Sequence, residues 1–135
     1  MFKIRVGGYY NEKKQGWVSI WLGNMKDEDS IGEYVDLTYD EDGESVSSQF
    51  FIDFNIDMDE TDEDTIEKAV YKSSSSDISA LLDGCSYEEI VIQKIQKSIN
   101  LKKSYKAVIL IYNFEYKNEI SSTGSFDFIA ATNYE

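Results

Sequence analysis

Trp17-Val18-Ser19-Ile20-Trp21-Leu22 is the stretch from which the fold can be read outward. Side chains of an extended chain alternate between two faces, so Val18, Ile20 and Leu22 share one face and Trp17, Ser19 and Trp21 the other. Both faces are largely apolar, which places this strand inside a sheet that is covered on each side. Trp17 and Trp21 point the same way and read as core under a helix, the alternative being an exposed aromatic platform at an interface. Ala107-Val108-Ile109-Leu110-Ile111-Tyr112 is the most apolar run of the chain and reads as a second central strand. Phe126-Asp127-Phe128-Ile129-Ala130 returns beside it after a polar turn over residues 117–125. Over residues 65–71, Ile66, Lys68 and Val70 alternate with Glu67, Ala69 and Tyr71, again at period two. Phe2, Ile4 and Val6 alternate with Lys3 and Arg5, and Gly7-Gly8 with residues 11–16 supply turn chemistry, so a first hairpin onto residues 17–22 is expected.

Helices are expected between these strands. Asp27-Glu28-Asp29 puts negative charge at a helix N-terminus, and Ile31, Tyr34 and Val35 follow at helical spacing. Residues 39–44 read as a turn or short hairpin. Ser47 or Ser48 can cap a second helix, with Phe50, Phe51 and Phe54 on one side and Asn55 as its stop. Residues 73–76 are four serines and read as a flexible connector. Asp77 opens a short helix with Ile78, Leu81 and Leu82, closed by Gly84. Ser86-Tyr87-Glu88-Glu89 has the form of a capping box before a longer helix. That helix carries Val91, Ile92, Ile95 and Ile99 on one stripe, with Gln93, Lys94, Gln96 and Lys97 outside. The expected fold is α+β: a single mixed or antiparallel sheet of about five strands with three to four helices packed on it. Residues 1–135 are expected to form one domain, a length that buries roughly two-thirds of the unfolded surface.

Charge is distributed far less evenly than hydrophobicity. Residues 27–64 hold sixteen Asp or Glu and no Lys or Arg, while the remaining residues hold ten acids and thirteen bases. Almost all of the net charge of −13 therefore lies in one segment. Folding does not need such a field, whereas a one-signed surface steers oppositely charged partners. Nucleic acid is disfavoured as a ligand, since phosphate binding draws on Lys and Arg to release counterions. No apolar run approaches the ~20 residues that cross a bilayer. Residues 1–6 alternate, unlike the apolar block of a signal peptide, so membrane insertion and export are disfavoured and a cytoplasmic protein is expected. Cys85 is the single cysteine, which fits a reducing compartment. The absence of histidine removes Ser-His and Cys-His nucleophilic pairs and the commonest zinc ligand.

Several segments, in order, resemble one family. They are Val18-Ser19-Ile20-Trp21-Leu22-Gly23-Asn24; Tyr39-Asp40-Glu41-Asp42-Gly43-Glu44 followed by Ser48-Gln49-Phe50 and Asp53-Phe54; Asp62-Glu63-Asp64 before a strand; Leu81-Leu82-Asp83-Gly84 before the longer helix; and the apolar strand ending Tyr112-Asn113. Together these resemble the immunity protein 22 family, found beside polymorphic toxin genes in bacteria. The likeness spans roughly residues 17–115, and the order of the segments carries it, none being specific alone. It implies a protein that binds and silences a cognate toxin; it carries over no catalytic residue, and no cofactor or metal is expected.

The residues agree with that implication on physical grounds. Toxins that act on nucleic acids, nucleases among them, carry basic clefts, and an acidic protein can fill such a cleft. Expected contacts are Tyr39, Asp40, Glu41, Asp42 and Glu44 in one loop and Asp57, Asp59, Glu60, Asp62, Glu63 and Asp64 in the other. The rival reading is an acidic, non-catalytic adaptor module. Residues 57–68 fail the EF-hand template, because Asp62 stands at its sixth place and Lys68 at its twelfth. Residues 40–44 offer paired carboxylates, yet nothing around them suggests the burial that would part their pKa values. Cys85 precedes a helix N-terminus that can stabilise a thiolate, but with no histidine as base the expectation is an idle thiol. Tyr9, Tyr10, Tyr116 and Tyr134 are left as possible interface residues.

Overall fold

In a computed structural model the described residues are 12–35, 38, 39, 41, 42, 45, 46, 48–57, 61, 63–117 and 120–135. The chain runs β1 (Glu12–Gly23), α1 (Glu28–Val35), β2 (Thr38–Tyr39), β3 (Ser45–Val46) and α2 (Gln49–Asp53). After a 3-10 turn at Glu63–Thr65 come β4 (Ile66–Ser75), α3 (Ile78–Leu81), α4 (Glu88–Ser98), β5 (Tyr105–Glu115) and β6 (Phe126–Asn133). The main sheet has the order β4-β5-β1-β6 and is antiparallel throughout. β2 and β3 form a separate hairpin, with Thr38 opposite Val46. The class is α+β as expected, with four strands in the main sheet among the described residues where about five were anticipated. The strand expected at residues 2–6 lies outside the described residues.

The two apolar strands, β5 and β1, are the inner pair. On one face, Val18, Ile20 and Leu22 join Val108, Leu110 and Tyr112, and Ile78, Leu81, Val91 and Ile95 from α3 and α4 cover them. On the other face, Trp21 joins Ile109, Ile111 and Phe114, covered by Ile31 and Val35 of α1 and by Phe50, Phe51 and Phe54. Trp21 is fully buried, its ring 5.0 Å from Phe50 and 5.3 Å from Tyr116 between centroids, in edge-on contacts that suit the ring quadrupoles. Trp17 is half-buried, with the Lys14 ammonium 4.0 Å over its ring. Tyr116 and Tyr134 are buried, while Tyr9 and Tyr10 lie outside the described residues.

Three local expectations are corrected. Residues 12–16, expected as turn, are the first part of β1; the turn chemistry appears instead as a register shift between Lys13 and Val18, with Gly16 at φ +82° and Asn113 of β5 at φ +58°. Ser73, Ser74 and Ser75, expected as a connector, continue β4, and Ser75 pairs with Tyr105. An edge strand needs a partner on one side only, and backbone pairing there outweighs the weak local preference of serine. The capping box does not form. Ser86 is drawn away by Glu67 of β4, which accepts from Ser86 N at 3.0 Å and Oγ at 2.7 Å, while Glu88 accepts from Gly84 N at 2.7 Å. The N-cap position falls on Tyr87, in the left-handed region at φ +60°.

Other local signals act as read. Asp27 accepts from Ser30 N at the start of α1, and Asp77 from Ser79 N at the start of α3. Asn55 takes φ +54° just after α2. Ser48 is the N-cap of α2, but its hydroxyl donates to Val35 O, tying α2 to the end of α1. At Gly23 a Cβ would lie 2.2 Å from Ser125 O, so the close approach of the turn before β6 requires glycine.

Ser19 is the polar member of the inner pair and is fully buried. Its hydroxyl donates to Phe114 O and accepts from Tyr116 N, both at 2.9 Å, satisfying two backbone groups where the ladder is interrupted. Ser19→Ala removes both bonds without changing volume much, and the expected loss is about 2 kcal/mol, read as a lower urea midpoint at unchanged slope. A change under about 0.5 kcal/mol would show that water or a backbone shift replaces the hydroxyl.

Candidate partner-binding site

The two acidic loops named from the sequence flank α2 in the chain. The β2–β3 hairpin leads into this helix and the acidic segment from Asp57 leads out of it. Since α2 has five residues, its ends are roughly 7 Å apart, so the two loops leave neighbouring parts of one layer. Tyr39 lies on β2 opposite Ser45. Glu41 and Asp42 form the hairpin turn and are exposed. Asp57 is exposed just beyond the buried Ile56; Glu63 and Asp64 open the 3-10 turn, and Asp64 is exposed. Asp40, Glu44, Asp59, Glu60 and Asp62 lie outside the described residues.

Not every acid of residues 27–64 is available to a partner. Asp27 is bound to Ser30, whose amide and hydroxyl hold its carboxyl below the usual range. Glu28 accepts from Val70 N at 2.9 Å on the outer edge of β4. Asp53 accepts from the Tyr34 hydroxyl at 2.8 Å and from Gln49 Nε2 at 2.7 Å. Asp27 caps α1, while Glu28 joins α1 to β4 and Asp53 joins α2 to α1, so all three belong to the scaffold.

Sequence reasoning passed over Ile52. It is 59% exposed, on the side of α2 opposite Phe50 and Phe51 and between the two acidic loops in the chain. The available signal was its place one residue past the phenylalanine pair, on the outward side of a helix whose inward side was already assigned. An exposed isoleucine between two acidic loops in the chain is a side chain on which an interface can anchor.

A second feature lies on the other face of the sheet, where α3 meets β4. A pocket of 370 Å³ opens there, with Glu67 and Asp83 in its wall and Leu81, Val108 and Leu110 among its buried lining. Glu67 is half-buried with both oxygens held by Ser86, and Asp83 is exposed, so neither stands as a desolvated general acid. Cys85 also lines this pocket, and burial, together with Glu67 and Glu88, pushes its thiol up to about 11. The thiolate suggested by the nearby helix start is thus disfavoured, in keeping with an idle thiol. Among the described residues no three His, Cys, Asp or Glu side chains are grouped to hold a metal ion, and no helix is long and apolar enough to cross a membrane.

The family described as Immunity protein 22 matches residues 18–135 of the chain, which extends the likeness through β6 to the last residue. No curated protein and no solved structure shows a significant match.

With its pKa raised from 9.0 to about 11, Cys85 holds about a hundredfold less thiolate than an unperturbed thiol at pH 8. Its alkylation by iodoacetamide should accelerate about tenfold per pH unit from pH 7 to pH 10, without levelling near 9. A plateau beginning near pH 9 would mean that the thiol is not desolvated.

Proposed function

Because the chain belongs to the immunity protein 22 family, we propose that it neutralises a cognate bacterial toxin by binding it directly. The family match is the observation that carries this reading. The binding surface we assign is the layer of α1, the β2–β3 hairpin and α2, with Tyr39, Asp40, Glu41, Asp42 and Glu44 preceding Ile52 in the sequence. Asp57, Asp59, Glu60, Asp62, Glu63 and Asp64 follow it in the sequence. Support comes from the exposure of Glu41, Asp42, Asp57 and Asp64 and from the absence of any lysine or arginine between residues 27 and 64. The complementary toxin has a basic surface, such as the phosphate-binding cleft of a nuclease. The protein acts as one non-catalytic domain in the cytoplasm and needs no cofactor.

The two kinds of contact divide the work. Carboxylates on loops raise the encounter rate, which opposed fields can bring toward ~10⁸ M⁻¹s⁻¹ at low salt. Their net worth once bound is small wherever water still reaches them. Residence time comes from a desolvated anchor, and Ile52 is the apolar side chain placed to supply it.

Co-expression with the product of the adjacent gene tests the whole reading: growth should be rescued and the two proteins should co-purify, and failure of both sinks it. Replacing Asp59, Glu60, Asp62 and Asp64 together by Asn, Gln, Asn and Asn should slow association roughly tenfold at low salt, with little change in dissociation. Ile52→Ala should instead speed dissociation by about fivefold or more, while stability stays within about 0.5 kcal/mol. Unchanged association of the fourfold variant at low salt would remove the electrostatic part.

A further inference from the structure

Two of the large apolar side chains exposed among the described residues share the start of α4: Tyr87, 56% exposed, and Ile90, 38% exposed. Tyr87 is the N-cap residue and holds φ +60°, a left-handed conformation that suits glycine or asparagine and is unfavourable for a bulky side chain. Its neighbours fix it there. Ser86 is held by Glu67 through its amide and hydroxyl, and the Tyr112 hydroxyl donates to Ser86 O at 2.7 Å. The Tyr87 carbonyl accepts from Ile90 N and Val91 N, both at 3.0 Å. So placed, the Tyr87 ring lies 4.3 Å from that of the buried Tyr134 and 6.3 Å from that of the buried Tyr112, between centroids. Tyr134 is itself anchored through its hydroxyl to Asn113 Oδ1. An exposed ring is thus held rigidly against two buried ones, on a strained backbone of the kind that functional positions retain.

Carboxylates lie beside this ring. Glu89 follows two residues on and Glu135 adjoins Tyr134, and both are exposed. Burial chiefly, with Tyr87 and Glu135, raises the Tyr134 hydroxyl above its ordinary range. Lys94, one turn beyond Ile90, is engaged by Asn133. An open phenol face beside acidic groups fits a guanidinium, which stacks on the ring and pairs with a carboxylate. The place also suits a partner drawn by the acidic loops. Asp64 stands three residues before Glu67, and Glu67 holds Ser86, so chain geometry keeps Tyr87 within about 25 Å of Asp64. One standard interface, about 800 Å² a side and so roughly 30 Å across, is wide enough to span both.

We propose that the Tyr87–Tyr134 platform receives an arginine side chain of the cognate toxin, its guanidinium over the open face of Tyr87 and beside Glu89 and Glu135. The proposal rests on toxin binding as read above and adds to it an aromatic anchor at the end of the sheet where β4 begins.

Binding of purified variants to the product of the adjacent gene is followed by surface plasmon resonance, together with the melting temperature of each free variant. Tyr87→Asn relieves the backbone and removes the ring: dissociation should speed about tenfold or more, while the melting temperature falls by no more than about 3 °C. Tyr87→Phe keeps the π face and should stay within about twofold of the parent chain, whereas Tyr87→Leu, apolar without that face, should dissociate about fivefold faster or more. Dissociation unchanged in Tyr87→Asn would overturn the proposal and leave toxin neutralisation standing. Tyr87→Leu equal to the parent would replace the arginine by a plain apolar contact, and a larger fall in melting temperature for Tyr87→Asn would make the ring a structural support; either overturns it. A dimer of the chain alone that Tyr87→Asn dissolves would put a second copy on the platform in place of the toxin, against the proposal. If even the parent chain forms no complex, toxin neutralisation itself fails and this contact with it.

Discussion

β1 and β5 lie side by side in the middle of the sheet, and each is apolar on both faces, so neither is stable until two separate layers cover them. Burying one large apolar side chain is worth about 1.5–3 kcal/mol, and the inner pair offers Val18, Ile20, Leu22, Val108 and Leu110 to one layer and Trp21, Ile109 and Ile111 to the other. The helices divide accordingly. α1 and α2, close in sequence, cover the Trp21 face, and α3 and α4 cover the opposite one. Ser19 is the polar exception between the strands, and it is bonded to the backbone on both sides of its hydroxyl.

Where a residue's own pattern decided its environment, the sequence was readable. The alternation at residues 17–22, the stripe of Val91 and Ile95 and the cap at Asp77 all follow from period or from chemistry a few residues away. The misreadings fall where a distant residue intervenes. Glu67 reaches Ser86 across nineteen positions and dissolves a capping box that local sequence favours. Ser73 to Ser75 read as connector because nothing nearby announces that Ser75 pairs with Tyr105. The bulge marked by Gly16 and Asn113 lengthens β1 into residues that look like a turn.

The candidate site divides the same way. Charge density was legible, because sixteen acids without a base is a property of the chain itself. Which acids face outward was not, because that depends on contacts between elements: Glu28 serves Val70 on β4, and Asp53 serves Tyr34 on α1. Ile52 needed only the face of α2 to be recognised. The pocket needed β4, β5 and the α3–α4 turn in place together, and no single stretch of sequence contains it.

Covering both faces of the sheet also determines what is left for recognition. The inward side chains of the sheet are consumed by the two cores, so a partner meets helix backs, connections and the two outer strands. The outer edge of β4 is already partly closed by the Glu28 carboxylate on Val70 N, and β6 is held at its end by Lys94, which donates to Asn133 O at 3.0 Å. Such tethers discourage the strand addition that bare edges invite. The connection-rich layer around α2, which we propose as the binding surface, is a place where like charges can be crowded without being buried. Acidity concentrated in loops leaves the core untouched by the repulsion it creates, since solvent screens exposed charges beyond about 8–10 Å. A fold built this way can change its loop charges to follow a partner while the β1–β5 pair stays fixed.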